Sequence, residues 1–293
     1  MDIFLQQIVS GLATGGIYAS LALALVMIYQ ATDVLNFAQG EMAMFSTYLA
    51  WSMMNAGVPY WGAFFATIAI AFVGGIMIER VIIRPVENAP VLAIVIVTIG
   101  LLVIFNSMAG WMFSYIIQPF PSPFPKTPIK IGNIVFGLHD LGAIGVTLLL
   151  LLLLYLFFSH TSLGLAMRAA AQNPESSRLV GIRVGWMLAL GWGLAALVGA
   201  VAGIMVAPII FLEPNMMGGI LIYAFASATL GGFTSPGGAV LGGFLVGVIE
   251  NLVGTYVGFI GTELKLTVAL AIILIVLIVK PSGLFGRAVV HRV

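Results

Sequence analysis

Glu250 and Asn251 sit together inside one apolar run, residues 238–258, and Asn36, Gln39 and Glu41 open another, residues 36–54. A carboxylate at the centre of a bilayer costs about 2.5–3.5 kcal/mol on insertion scales, so each such group needs a physical reason. For Glu250 two reasons are open. It lines a solute pathway or holds a gate, or it is a buried carboxyl tying two helices together. Glu41 falls near the inner end of its segment, where a helix-start role at the interface competes with a pathway role; Asn36 and Gln39 share that alternative. Asn106 is either a pathway residue or an interhelical hydrogen bond. Bond-making chemistry finds no comparable support. His139, His160 and His291 fall in loops or the tail, no H-E-x-x-H is present, and no serine–histidine or paired-aspartate arrangement can be placed at one depth. Without cysteine there are no disulfides and no thiolate metal sites. Neither an enzyme nor a metal centre is expected.

A second group of polar residues lies outside the apolar runs. Only 7% of the chain is charged, yet Arg168, Glu175, Arg178 and Arg183 fall within one short stretch. Asn173-Pro174-Glu175 reads as a helix start: asparagine caps, proline fits the first position where its missing N–H costs nothing, and glutamate complements the positive end of the dipole. Arg178 falls in the last turn, and Gly181 suits the left-handed position just past the end. The spacing predicts a helix of about two turns, too short to be stable alone in water. It must dock, either against lipid headgroups or in a protein groove. The small apolar face of Leu179, Val180 and Ile182 favours the groove.

Long apolar helices have to position these groups. The chain is 61% hydrophobic with mean hydropathy +1.18, whereas a soluble domain carries about 25% charged residues. Spans are predicted at 7–29, 36–54, 60–82, 91–113, 141–159, 186–208, 218–233, 238–258 and 263–280, most of them long enough to cross about 30 Å of hydrocarbon. The first lacks the basic flank of a cleaved signal and is read as a retained helix. Ten-residue alternating strands of an outer-membrane barrel are not visible. The expected fold is all-α and polytopic, with eight or nine transmembrane helices, because 36–54 is polar enough to cross only partly.

Basic residues set the orientation. Arg80, Arg84, Arg168, Arg178, Arg183, Lys280, Arg287 and Arg292 mark the cytoplasmic side, and Lys126, Lys130 and Lys265 the outside. The C-terminus is then cytoplasmic. The whole chain reads as a single transmembrane domain, residues 1–293, with a cytoplasmic loop at 159–185. A Pro-rich external loop at 114–140 has proline spacing that favours extended chain. Lipid is an expected partner; nucleic acid is not, since no basic run exists. Paired glycines at 15–16, 74–75, 218–219, 231–232, 237–238 and 242–243 suit close helix packing. Gly231-Gly-Phe-Thr-Ser-Pro-Gly-Gly238 breaks a helix, and broken backbone in a membrane survives only beside protein or a wet cavity.

Five motifs in order carry a resemblance that runs nearly end to end. They are Gly15-Gly-Ile-Tyr-Ala-Ser-Leu-Ala-Leu-Ala-Leu25, Leu35-Asn-Phe-Ala-Gln-Gly-Glu-Met42, Glu79-Arg-Val-Ile-Ile-Arg-Pro85 leading into Val97-Thr-Ile-Gly-Leu101, Gly231 to Gly243 followed by Glu250, and Lys280-Pro-Ser-Gly-Leu-Phe-Gly286. The chain resembles the LivH-type permease subunits of ABC importers for branched-chain amino acids. That resemblance implies a type II ABC importer-like permease in a bacterial inner membrane. It also implies a second related permease, two cytoplasmic ATPase subunits that bind ATP and magnesium, and an extracytoplasmic binding protein. The 159–185 loop becomes the coupling element, with Arg168, Asn173, Pro174, Glu175, Arg178 and Gly181 at its contact with an ATPase.

No G-x-x-x-x-G-K-S/T is present in this chain, so energy must arrive from partners. Sister permeases for urea and short amides share much of the motif order. An ion-coupled secondary transporter is the alternative from another class, though such proteins place several ionisable groups at midplane, and Glu250 is nearly alone.

Overall fold

The computed structural model describes residues 2–32, 34–87, 89–125, 127–131, 134–261 and 264–286. Lys126, Arg287, His291 and Arg292, which entered the reading above, lie outside them. Each predicted span is a helix: α1 (Asp2–Thr32), α2 (Gln39–Asn55), α3 (Tyr60–Ile78), α4 (Val91–Phe113), α5 (Leu138–His160), α8 (Val184–Ile210), α9 (Met216–Gly231), α10 (Pro236–Tyr256) and α11 (Lys265–Val279). Between α5 and α8 run two further helices, α6 (Ser162–Gln172) and α7 (Pro174–Leu179). Among the described residues six helices are long and apolar enough to cross a membrane, and α9 and α11 are shorter apolar ones. Strands β1 (Ile129–Ile131) and β2 (Ile134–Phe136) form a small antiparallel hairpin, with Ile129 opposite Phe136.

The chain forms two compact units: residues 1–26, 124–146 and 219–293, and residues 27–123 and 147–218. The first is built on the small-residue face of α10. A methyl group on Gly247 would meet Gly11 and Gly15 of α1, one on Gly243 would meet Ala19, and one on Gly242 would meet Ser227 of α9. Lipid offers no hydrophobic force between helices, so packing rests on such close approach. The break between α9 and α10 is satisfied by protein. Ser235 caps α10 by accepting the Gly238 N–H at 3.1 Å, with Pro236 at the first position. Gly232 takes φ +103 against Ser282 and Gly286. Leu284 and Phe285 donate their N–H groups to the Leu230 and Gly231 carbonyls, filling acceptors left open at the end of α9.

In the second unit α8 is central, with Trp192 fully buried. Helix α3 packs against it in the opposite direction. A methyl on Gly75 would meet Gly193 and Ala196 of α8, while Arg84, beyond the end of α3, donates to the Gly185 carbonyl. Helix α2 runs parallel to α8, with Gln39 and Ala43 beside Gly199 and Thr47 beside Gly203. The first turn of α2 therefore lies next to Ala195, eleven residues or about 16 Å along α8. Glu41, in the first turn of α2, is at the end of its segment, and that end lies alongside the middle of α8.

Candidate functional site

The exposed stretch at 162–183 forms as its capping chemistry dictates. Thr161 caps α6 by accepting the Gly164 N–H at 3.0 Å. Asn173 then caps α7 by accepting the Ser176 N–H at 2.9 Å, with Pro174 at the first position and Glu175 in the first turn. The far end closes with two reverse bonds, Ile182 N–H to the Ser177 carbonyl at 3.0 Å and Gly181 N–H to the Arg178 carbonyl at 3.1 Å. This paired pattern requires a left-handed residue after the cap, and Gly181 supplies it at φ +86. Ser177 is buried, whereas Leu179 and Val180 are 89% and 76% exposed. A six-residue helix that presents aliphatic side chains outward is a projection, not a piece of core. Arg168, Asn173, Pro174, Glu175, Arg178 and Gly181 are all exposed. Arg168 lies within the 159–185 segment on α6, since residues 162–172 are helical.

Glu79 opens a π-helical turn, Glu79–Ile83, that continues α3, and Arg84 follows directly after it. In an α-helix residues five apart point about 140° away from each other; the wider turn aligns them. Arg84 donates to both Glu79 oxygens at 2.9–3.2 Å. Glu79 is buried. The partner of Glu79 is thus Arg84, five residues on, while Arg80 lies over the Trp186 ring at 3.4 Å from its centroid.

The intramembrane candidates fall in two separate clusters. In the second unit Asn36 and Gln39 are completely buried. Asn36 Oδ1 accepts the Ala38 N–H at 3.1 Å and its amide donates to Gln39 Oε1. Gln39 Nε2 donates to the Ala195 carbonyl at 2.9 Å. Both side chains thus satisfy backbone and each other where the chain is broken before α2. The Asn106 amide reaches Glu41 Oε2 at 3.5 Å, the Pro214 carbonyl at 2.9 Å and Asn215 Oδ1 at 3.1 Å.

In the first unit Tyr18 Oη donates to Glu250 Oε2 at 2.8 Å, and Lys265 Nζ lies 3.7 Å from Glu250 Oε1. Tyr18 stacks on Tyr223, ring centroids 4.7 Å apart. Asn251 donates to Thr14 Oγ1 at 3.2 Å and to the Gly247 carbonyl. Glu250 and Asn251 thereby link α10 to α1 and α11. The sequence reading missed Tyr18, Thr14, Lys265, Tyr48, Pro214 and Asn215. A buried carboxylate announces that it needs partners, but no local spacing says which distant helix holds them. Among the described residues no group of three His, Asp or Glu side chains is placed to hold a metal ion.

Six helices long and apolar enough to cross a membrane among the described residues, with polar side chains buried where helix α2 begins, define a polytopic membrane protein. Comparison with known proteins gives the family. Residues 7–277 match the family described as branched-chain amino acid transport system / permease component, and the chain belongs to it. It is 32% identical to the high-affinity branched-chain amino acid transport system permease protein LivH of Salmonella typhimurium, covering 99% of this chain and 98% of that one. It is 33% identical to the corresponding protein BraD of Pseudomonas aeruginosa, with the same coverage. Among solved structures, PsaBC from Streptococcus pneumoniae in complex with Fab aligns over 96% of this chain and 91% of that one, at 15% identity and a TM-score of 0.47.

Proposed function

We propose that this chain is the permease subunit of an ATP-driven importer that carries branched-chain or related hydrophobic amino acids across the bacterial inner membrane, its C-terminus cytoplasmic. It pairs with a second related permease, and two cytoplasmic ATPase subunits supply the ATP and magnesium chemistry. An extracytoplasmic protein delivers the solute. The observation that carries the reading is α7. A six-residue helix does not persist on its own chain energetics, yet it is capped at both ends and turns Leu179 and Val180 outward. Such a rigid apolar tip suits a groove on a soluble partner, and Arg178 and Glu175 give that contact charge complementarity. The curated relatives, similar along their whole length, are permeases of branched-chain amino acid systems, which supports the cargo class.

Reconstitution with co-purified partners in proteoliposomes tests the proposal. ATP-dependent uptake of labelled leucine is expected. Uptake of urea in its place would move the chain to the amide-transporting sister group, and ATP-independent leucine uptake by the purified single chain would make it a secondary transporter.

A further inference from the structure

Asn106, on α4, lies fifteen residues or about 22 Å from the start of that helix. Three acceptors converge on its amide: Glu41 Oε2, the Pro214 carbonyl and Asn215 Oδ1. A primary amide has two hydrogens, so one acceptor is always short of a donor. Glu41 fares worst. It is 6% exposed, its contact to Asn106 is at the 3.5 Å limit, and among the described residues no basic side chain pairs with it. A carboxylate accepts at about four lone-pair positions, and leaving them empty is costly when buried.

A second observation points to the same place. Tyr48, two helical turns beyond Glu41 on α2, is completely buried and its hydroxyl has no hydrogen-bond partner. Tyr48 on α2 and Phe113 on α4 each lie seven residues, about two turns, beyond Glu41 and Asn106 on the same helices. The Tyr48 ring stacks on Phe113 at 4.7 Å, and Phe45 meets Phe105 at 5.4 Å. Surplus acceptors thus sit below an aromatic wall.

We infer that Glu41, the Pro214 carbonyl and Asn215 form a station in the translocation path for the ammonium group of a zwitterionic amino acid, whose apolar side chain lies along the aromatic wall. An ammonium presents three N–H donors and one positive charge, which the unpaired Glu41 carboxylate lacks, and the Pro214 and Asn215 oxygens each keep a second lone pair for it. The inference rests on the amino-acid importer reading and assigns a place for that cargo within this chain.

The test uses the reconstituted importer with all its partner subunits and measures ATP-driven uptake of labelled leucine, ATP hydrolysis and thermal melting. Glu41→Gln removes the charge and should lower maximal uptake about tenfold or more, the scale of a charge-assisted hydrogen bond, with the half-saturating leucine concentration, hydrolysis and melting held. Glu41→Asp keeps the charge and should recover part of the uptake. Tyr48→Phe breaks no internal hydrogen bond, so a structural role predicts no loss; a cargo role predicts uptake lowered about two- to tenfold. Leucine uptake unchanged in Glu41→Gln overturns this inference alone, as does equal loss in the Gln and Asp variants. Urea uptake by the unsubstituted complex overturns the importer reading and this inference together, because urea carries no ammonium group.

Discussion

Replacing Gly11 by alanine should pull apart the α1–α10 contact on which the Glu250 linkage depends. A methyl group on Gly11 would stand 2.7 Å from Val248 Cα and 2.9 Å from the Gly247 carbonyl oxygen. Carbon atoms rest at about 3.5–4.0 Å, so the helices must separate by about 1 Å. Both contacting atoms are backbone, and no flexible side chain can give way. Tyr18 lies two turns along α1 from Gly11 and donates to Glu250 at 2.8 Å. A shift of about 1 Å stretches that bond to about 3.8 Å, beyond hydrogen-bonding range. Overpacking of this kind costs about 1–3 kcal/mol, which lowers a melting midpoint by about 2–4 °C per kcal/mol. Gly74→Ala is the control: nothing lies within 4 Å of its added methyl, so it should gain up to about 1 kcal/mol of helix propensity. Thermal melting of the purified protein in detergent measures both. If Gly11→Ala melts at or above the unsubstituted protein, the close-packing argument for α1 and α10 is refuted.

Three further substitutions follow from the polar contacts. Arg84→Ala strands the buried Glu79 carboxylate and should destabilise by about 3–5 kcal/mol, discounted because Arg84 itself is about a third exposed; melting of the Glu79→Gln, Arg84→Ala double variant should recover much of the loss. Glu250→Gln keeps an acceptor for Tyr18 and loses the ion pair to Lys265, so melting should fall by the equivalent of about 1 kcal/mol while leucine uptake per ATP hydrolysed stays constant across pH. Abolished uptake with unaltered melting would instead assign the ionised carboxylate to the pathway or a gate. Joint replacement of Glu175 and Arg178 by alanine should uncouple ATP hydrolysis from uptake with melting held, since both side chains are exposed; full coupling in that variant would sink the docking of α7.

Much of this was legible in the sequence because it is governed by local rules. Apolar runs of bilayer length fix where helices lie, and Asn173, Pro174 and Gly181 each act on backbone within a few residues, so α7 was readable from both ends. The Gly231–Gly238 break was equally plain, since proline and clustered glycine act on their own turn. The Glu79–Arg84 pairing was not legible, because the π-helical turn after α3 changes which residues share a face, and that turn has no signature in the spacing of the charges.

Sequence alone also determined that Glu41 and Glu250 need partners, because burying a carboxylate in an apolar run is costly wherever the fold puts it. Tertiary structure decided what each one meets. Glu250 is joined by Tyr18, 232 residues away in the chain, and its acceptors are engaged. Glu41 meets one amide from α4 at 3.5 Å and is left with acceptor capacity to spare. Two glutamates that look alike in sequence therefore end in different surroundings, since hydrogen-bond satisfaction depends on which distant helices are brought alongside.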